Sequence, residues 1–149
     1  LTLDTGDAQV AMWTVADRVR LRQVLVNLLS NGIKYNQRGG AVRVGCAPTA
    51  DEPPRWRVQV ADTGRGIPPE QLAHLFEPFN RLGAEGSGVD GTGIGLVLAR
   101  RLAELMHGTL RIDSATGHGT VATLELQRAD RPVVTLPDDA AASAPVPLD

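Results

Sequence analysis

The segment "NLLSNGIKYN" (residues 27–36) belongs to an amphipathic helical pattern that carries two asparagines in its interior. Apolar residues recur at intervals of three and four over residues 18–36, which predicts a helix with one buried stripe. Asn is a poor helix former, because its side-chain amide competes for nearby backbone groups. The presence of both Asn27 and Asn31 therefore indicates a role other than helix stability.

The polar face of this predicted helix has the composition of a ligand-binding surface. Gln23, Asn27, Asn31 and Lys34 follow one another at steps of four, four and three, so they share one face. Amide oxygens are hard neutral ligands that suit magnesium, which takes most of its other ligands from substrate phosphates and water. Lys34 adds a positive charge that can neutralise phosphate beside them. From the spacing alone, a solvated polar face is the alternative.

The composition argues against several functional classes. The chain has 149 residues and 42% hydrophobic content, which suits one domain with a core. Lys and Arg number 15 against 17 Asp and Glu, and no basic run with interleaved aromatic residues occurs, so nucleic acid is not an expected partner. The single cysteine, Cys46, excludes an internal disulfide and a multi-cysteine zinc site. No apolar run approaches the roughly 20 residues of a membrane helix, and no signal-peptide pattern opens the chain.

The remaining pattern predicts an α+β fold. Four runs alternate apolar and polar residues and are predicted strands in two hairpins: residues 41–47, 55–61, 109–114 and 119–127. Further helices are predicted at residues 70–76 and 96–106, and a short strand at 10–17 leads to Asp17 as a helix N-cap. Helices that cover one face of a mixed sheet would bury these stripes. Residues 128–149 are rich in Pro and Ala without a period, which predicts a disordered tail or linker.

Two glycine-rich motifs lie next to predicted elements. The first follows a predicted strand, and the second precedes a predicted helix. The motif "DTGRGIP" (residues 62–68) starts with Asp62, and its glycines permit a tight turn and close approach of a ligand. An aspartate there can accept hydrogen bonds from an exocyclic amine such as that of adenine, although a simple Asx turn would use it as well. The motif "GTGIGL" (residues 91–96) runs into a predicted helix, whose backbone N–H groups can hold phosphate. It matches neither the P-loop nor the Rossmann pattern, and glycines also serve as hinges.

Taken in order, these motifs resemble those of the catalytic ATP-binding domain of bacterial sensor histidine kinases, a branch of the GHKL ATPase superfamily. The matching segments are the N box "NLLSNGIKYN" (27–36), the G1 box "DTGRGIP" (62–68), the F box "LFEPFNRL" (75–82), the G2 box "GTGIGL" (91–96) and a G3-like "GHGT" (117–120). The resemblance covers about residues 17–126. Five motifs in this order are specific, whereas each alone is weak.

The resemblance implies a two-layer α/β sandwich, the Bergerat or GHKL ATPase fold. In this fold a mixed, mostly antiparallel sheet packs on about three helices, and ATP lies between the helices and a Gly-rich lid, here residues 82–90. The catalytic ATP-binding domain is expected to span residues 1–127, followed by the tail at 128–149. Gly32 stands where the family usually has Ala, which should weaken the helix by roughly 0.5 to 1 kcal/mol without removing a ligand.

The resemblance also assigns candidate site residues. The expected catalytic residues are Asn27, Asn31, Lys34 and Arg81. Asn31 and Asn27 are the expected magnesium ligands, and Asn31 and Lys34 are also expected to bind ATP. The other expected ATP-binding residues are Tyr35, Asp62, Gly64, Gly66, Ile67, Gly91, Thr92, Gly93, Gly95, Leu96 and Thr120. Phe76 and Phe79 of the F box are expected to anchor the base of the lid.

These implications predict a protein histidine kinase of two-component signal transduction. It would bind ATP with Mg²⁺ and transfer the γ-phosphoryl group to a histidine on a separate dimerisation domain. His74, His107 and His118 are expected at a helix surface, a helix end and a turn, so none is the acceptor. The chain is therefore expected to be the cytoplasmic catalytic domain, monomeric when isolated and without direct membrane contact, of a larger kinase that could itself be membrane-anchored. The receiver domain of a response regulator is the expected downstream partner.

Two alternative functions stay open. The first is another GHKL enzyme, such as an anti-sigma serine kinase or a chaperone-type or gyrase-type ATPase. Such ATPases usually carry Glu as a water activator at the position of Asn27. The second is a non-catalytic nucleotide-binding module, which would bind ATP without transferring phosphate.

Overall fold

A five-stranded sheet forms one layer of the computed structural model, which describes residues 2–3, 12–79 and 93–130. The strands are β1 (Thr2–Leu3), β2 (Val42–Pro48), β3 (Arg55–Asp62), β4 (Thr109–Ala115) and β5 (Gly119–Gln127). The helices are α1 (Arg18–Lys34), α2 (Pro69–Leu72) and α3 (Gly95–Leu105). Outside the described residues lie the predicted lid at 82–90, the candidate residues Arg81, Gly91 and Thr92, and residues 131–149 of the predicted tail.

The strand order of the sheet is β1-β2-β3-β5-β4. β1 runs parallel to β2, and every other neighbouring pair is antiparallel. The prediction of a mixed, mostly antiparallel sheet with two hairpins is therefore confirmed. β5, the last of the described strands, lies between β3 and β4, so that Asp62 at the end of β3 is paired with Thr120 near the start of β5.

Helix α1 begins and ends at signals that the sequence carries locally. The Oδ1 atom of Asp17 accepts a hydrogen bond from the backbone N–H of Arg20 at 2.9 Å, so Asp17 is the N-cap that the sequence predicts. Val24 and Leu28 on the buried face are 0% and 2% exposed. The helix ends at Lys34, two residues before the predicted end.

The core lies between the sheet and the pair of helices α1 and α3. Ala99 and Ala103 of α3 are completely buried, and their small side chains let α3 pack closely against α1. Leu124 and Leu126 of β5 point into the same cluster and are almost completely buried. Burying a leucine side chain contributes about 1.5 to 3 kcal/mol, so this cluster stabilises the contact between the two layers. The two-layer α+β architecture is confirmed.

Two predicted elements are wrong in their extent. Within the described part of residues 10–17 there is no strand, and only Thr14 forms a single bridge, with Arg128. The predicted helix at residues 70–76 ends at Leu72, because the chain after it makes tighter turns, in which the N–H groups of His74, Leu75 and Glu77 donate to the carbonyl three residues earlier. The short pairing of Thr2 and Leu3 was not predicted.

The two phenylalanines of the F box have different environments. Phe76 packs against the edge of the core, and the guanidinium carbon of Arg100 lies 4.7 Å from the centre of its ring. Phe79 is 72% exposed and has a positive φ of 65°. An anchoring contact with the core is therefore made by Phe76, whereas Phe79 presents its ring to solvent.

Candidate functional site

A cavity of about 670 Å³ lies between α1, the end of β3 and the start of α3. This volume is in the range of small-molecule sites. Of the predicted site residues, the cavity is lined by Asn27, Asn31, Lys34, Tyr35, Asp62, Gly66, Ile67, Gly93, Gly95, Leu96 and Thr120. Gly64 is buried beside it. The structure thus brings together four motifs that are separated by up to about 90 residues in the chain.

Asp62 is fixed in the wall of the cavity by hydrogen bonds from the backbone. Its Oδ1 atom accepts hydrogen bonds from the backbone N–H groups of Gly64 at 2.8 Å and Thr120 at 3.2 Å. Burial raises the pKa of this carboxyl above its ordinary value, while the two backbone hydrogen bonds act in the opposite direction. Its Oδ2 atom receives no hydrogen bond from the described residues, which leaves an acceptor for a ligand.

The loop after Asp62 is packed so closely that two positions require glycine. A Cβ atom on Gly64 would lie 2.5 Å from the carbonyl oxygen of Tyr35. Gly66 has a positive φ of 70°, and a Cβ there would overlap the carbonyl oxygen of Ala115 at the end of β4. The loop is therefore fixed both to the end of α1 and to the hairpin.

A serine that the sequence analysis did not select connects this loop to β5. The Oγ atom of Ser114 accepts a hydrogen bond from the N–H of Ile67 at 2.9 Å and donates to the carbonyl of Gly119 at 2.8 Å. It also lies 2.9 Å from Oγ1 of Thr120. No motif includes Ser114, and its position opposite Thr120 on a predicted hairpin was the one signal that could have identified it.

The end of the cavity around Asn27, Asn31 and Lys34 has fewer internal hydrogen bonds. The Nδ2 atom of Asn27 donates to the carbonyl of Gly95 at 3.1 Å, and its Oδ1 accepts from Gln23 at 3.4 Å. Within the described residues, the side chains of Asn31 and Lys34 make no hydrogen bond or ion pair. The start of α3 also lines this end and has no side-chain cap among the described residues, so N–H groups of its first turn have no helical partner.

Two further residues at the cavity or its border were not among the predicted site residues. Arg65, between the two glycines of the loop, lines the cavity, and its guanidinium carbon lies 5.5 Å from the centre of the Tyr35 ring. The Nδ2 atom of Asn36 donates to the carbonyl of Ala41 at 2.9 Å, while Thr63 accepts from the N–H of Ala41 at 2.8 Å. Asn36 thereby fixes the chain leaving α1 to the loop that contains Asp62.

The donor set fits a magnesium ion only in company with phosphate. The candidate ligands are the neutral amide oxygens of Asn27 and Asn31, and the described residues contain no group of three His, Cys, Asp or Glu that could hold a metal. Two neutral oxygens do not complete the coordination of Mg²⁺, which in such sites takes its other ligands from phosphates and water. We therefore expect the ion to bind together with a nucleotide and not alone.

The fold and this arrangement match those of known ATPases. A family profile described as "Histidine kinase-, DNA gyrase B-, and HSP90-like ATPase" matches residues 16–130. The chain belongs to this family. Within it, the chain corresponds to the catalytic ATPase part of sensor histidine kinases, so the family resemblance found in the sequence is confirmed.

Two relatives illustrate the histidine kinase branch of the family. The virulence sensor protein BvgS of Bordetella bronchiseptica is 39% identical over 132 residues, which cover 86% of this chain and 11% of that protein. The histidine protein kinase DivJ of Caulobacter vibrioides is 40% identical over 130 residues, which cover 87% of this chain and 20% of that protein. The chain therefore spans a fifth or less of the length of these relatives.

Solved structures of the same family share the fold. The mycobacterial sensor histidine kinase MprB superposes with a TM-score of 0.65 at 29% identity, over 80% of this chain and 78% of that one. Full-length ShkA in complex with AMPPNP superposes with a TM-score of 0.64 at 32% identity, over 83% of this chain and 24% of that one. Among the helices described for this chain, none has the length and apolar character needed to cross a bilayer.

Proposed function

We propose that this chain binds ATP with Mg²⁺ in the cavity beside α1 and donates the γ-phosphoryl group to a histidine on a separate domain of a larger kinase. One observation carries the proposal: the walls of a single cavity carry a hydrogen-bond acceptor, Asp62, together with the amide and ammonium groups of Asn31 and Lys34. This polarity suits a nucleotide, whose base carries an amino group and whose phosphates are anionic. The AMPPNP bound to the relative ShkA supports the same choice of ligand.

The end of the cavity at Asp62 would hold the adenine. The free Oδ2 atom of Asp62 can accept a hydrogen bond from the exocyclic amino group, since Oδ1 is already occupied by two backbone N–H groups. Apolar side chains of Ile67, Leu96 and Ile112 supply contact surface for the ring. Because this end is fixed by the chain itself, little ordering is needed when the base binds.

The end of the cavity at α1 and α3 would hold the phosphates. Lys34 supplies positive charge, and the uncapped start of α3 supplies N–H groups and the positive end of the helix dipole. The hydrogen bond from Asn27 to the carbonyl of Gly95 positions the start of α3 against α1. Bound Mg²⁺, held by Asn31 and Asn27 together with the phosphates, would neutralise negative charge during phosphoryl transfer. Arg81, Gly91 and Thr92 remain candidates for the same end.

The lining of the cavity favours transfer to an acceptor over hydrolysis. Among the described residues that line it, Asp62 is the one carboxylate, and it belongs to the base end. The position at which related ATPases carry a water-activating Glu is Asn27, whose amide cannot act as a general base. The described part of the site therefore supports the kinase interpretation above the ATPase alternative.

The phosphate acceptor would come from elsewhere in the parent protein. His74 and His118 are exposed and lie at a turn after α2 and at the β4–β5 turn, and none of the three histidines lines the cavity. A dimerisation domain with an acceptor histidine is the expected direct partner, and the receiver domain of a response regulator the expected next one. We place the catalytic domain on the cytoplasmic side as a monomer, with residues 128–149 as a tail or linker.

The test combines nucleotide binding with transfer in trans. The 149-residue chain is titrated with ATP in the presence and absence of Mg²⁺, and is then mixed with the helical domain of its parent and labelled ATP. We expect binding and a labelled helical domain. Asp62→Ala and Asn31→Ala should reduce both signals, whereas Asp113→Ala, which removes an exposed carboxylate that does not line the cavity, should not.

Three outcomes would contradict the proposal or limit it. Label on the chain alone, without the helical domain, would contradict the assignment of an external acceptor. Failure of the unaltered chain to bind any adenine nucleotide would remove the whole functional proposal. Binding without transfer to the helical domain would leave the non-catalytic module as the function.

A further inference from the structure

The hydroxyl groups of Ser114 and Thr120 form a small cluster behind the base end of the cavity. The Oγ atom of Ser114 has three neighbours at hydrogen-bond distance: the N–H of Ile67 at 2.9 Å, the carbonyl of Gly119 at 2.8 Å and Oγ1 of Thr120 at 2.9 Å. A serine hydroxyl has one proton to donate and two lone pairs to accept with. Three neighbours therefore use its full hydrogen-bonding capacity.

The chemistry of these neighbours decides where each proton goes. The N–H of Ile67 can only donate, so it takes one lone pair of Ser114. The carbonyl of Gly119 can only accept, so it takes the one proton of Ser114. The remaining bond between Ser114 and Thr120 then requires Thr120 to be the donor.

The direction of the hydrogen bond from Thr120 to Ser114 matters for a ligand, because Thr120 lines the cavity. With its hydroxyl proton directed at Ser114, Oγ1 of Thr120 presents only lone pairs to a ligand. The N–H of Thr120 is also used, because it donates to Oδ1 of Asp62. At this corner the two side chains that face a ligand, Thr120 and Asp62, are therefore both acceptors.

We propose that Ser114 is a positioning residue for base selectivity, which keeps this corner of the cavity accepting by holding the hydroxyl proton of Thr120. The proposal rests on the proposed function, since it assumes that the cavity binds a purine nucleotide. A 6-amino group, as in adenine, donates to such a corner. A 6-oxo group, as in hypoxanthine, places a third acceptor against two acceptors and loses its hydrogen bond.

The most discriminating test is a variant, Ser114→Ala, that should gain affinity for a nucleotide with a 6-oxo group. In Ser114→Ala the hydroxyl of Thr120 loses its acceptor and is able to turn and donate to a 6-oxo group. We expect the unaltered chain to bind ADP at least roughly tenfold more tightly than IDP, the cost of one mispaired buried hydrogen bond. In Ser114→Ala the affinity for IDP should rise severalfold, while that for ADP changes little or falls. Calorimetric titration of the 149-residue chain with ADP and with IDP measures both.

Three control variants separate selectivity from structure. Ser114→Thr keeps a hydroxyl group at this position and should therefore keep the preference for ADP over IDP. Ser30→Ala removes a serine hydroxyl from the α1 wall of the same cavity and should leave the ratio of the two affinities unchanged. Thr120→Val removes the acceptor itself, so it should lower the preference by weakening ADP binding, and it serves as the test if Ser114→Ala does not fold.

The outcomes distinguish this inference from the function on which it rests. If Ser114→Ala weakens ADP and IDP by the same factor, Ser114 has a merely structural role and the inference is overturned, although the nucleotide site stands. If the unaltered chain binds both nucleotides equally, the accepting corner does not select the base, and the inference is again overturned. If it binds neither, the proposed function fails first.

Discussion

The two ends of the cavity are built in opposite ways. At the base end, Asp62, Ser114 and Thr120 use backbone and side-chain hydrogen bonds of the chain itself, and glycines fit without spare room. At the phosphate end, Asn31 and Lys34 make no hydrogen bond or ion pair within the described residues, and the start of α3 has no cap there. The groups of one end are held in position by the chain before a ligand arrives, whereas those of the other end wait for a ligand to give them partners.

This difference indicates separate tasks for the two ends: the base end selects the base, and the phosphate end binds the phosphates and the metal ion. Hydrogen bonds made in advance fix the positions of acceptors, so the base end can discriminate between ring substituents. Groups without internal partners can move toward phosphates and a metal ion whose positions change during a reaction. Substitutions at the base end should therefore change stability together with binding, whereas replacing Asn31 or Lys34 at the phosphate end should change binding alone.

The largest loss of stability is expected from adding a side chain to a tightly packed glycine at the base end. In Gly119→Ala the new Cβ would overlap the carbonyl oxygen of Asp62, in addition to the strain of a φ of 80°. Left-handed strain and overlap together should lower the free energy of unfolding by about 3 kcal/mol or more. Gly117→Ala is the matched control, because its φ is 79° but its Cβ would meet nothing within 4 Å. Chemical denaturation of both variants measures the difference, and equal losses would show that the base end is not tightly packed.

The next effect concerns the charge of Asp62. Because burial raises the pKa of Asp62, its carboxylate is less favourable in the folded than in the unfolded chain, and stability should fall as pH rises from the ordinary pKa to the raised one. Asp62→Asn should remove this pH dependence and make the ligand-free chain more stable at neutral pH. Loss of a charged acceptor should weaken ADP binding by roughly tenfold to a hundredfold. Unfolding curves at several pH values and ADP titrations measure the two effects, and a less stable variant at neutral pH would contradict the assignment.

The two asparagines of α1 should behave differently from each other. Asn27→Ala removes the hydrogen bond to Gly95 and should lower the free energy of unfolding by about 1 kcal/mol. Asn31→Ala removes no hydrogen bond within the described residues, so its stability should stay within about 0.5 kcal/mol. The same variant should bind the magnesium complex of ATP about tenfold more weakly. Equal destabilisation by both changes would mean that Asn31 has an internal structural role.

The smallest effect is a gain in stability where α1 meets the sheet. Gly32→Ala should raise the free energy of unfolding by roughly 0.5 to 1 kcal/mol, because alanine restricts the unfolded chain and favours the helix. The added methyl group would lie 3.4 Å from Val42 and 3.7 Å from the Cβ of Asp62, which are ordinary contacts. Gly39→Ala, in open space but at a φ of 76°, is the control and should lose stability. Thermal unfolding of the two variants should therefore shift in opposite directions.

The parts of the fold that could be predicted are those with local signals. The start of α1 was predicted correctly because Asp17 is a local cap, and β2 to β5 were predicted because their alternation is local. The strand expected within residues 10–17 is wrong in its described part, since the β-branched residues there precede the helix cap and form one bridge. The pairing of Thr2 and Leu3 could not be predicted, because two residues carry no periodic pattern.

The site residues also divide into those that carry a sequence signal and those that do not. Motif residues such as Asn31 and Asp62 were selected because their types and spacing match a known pattern, and the structure places them at one cavity. Ser114 was missed because its role depends on a hydrogen bond to Ile67, 47 residues away, and on the register of β4 with β5. Asn36 was not among the predicted site residues, although its side chain donates a hydrogen bond to the carbonyl of Ala41 beside the Asp62 loop. Residues that position others carry no motif of their own.

The place of β5 in the sheet also sets the order in which the molecule can form. The segment Gly119–Gln127 is the last in sequence of the described strands, yet it lies between β3 and β4 and pairs with both. The hairpin of β2 and β3 can form early from near neighbours, whereas insertion of β5 joins residues more than 50 positions apart, such as Asp62 and Thr120. We therefore expect that a chain still being synthesised lacks the base end of the cavity until β5 has left the ribosome and entered the sheet.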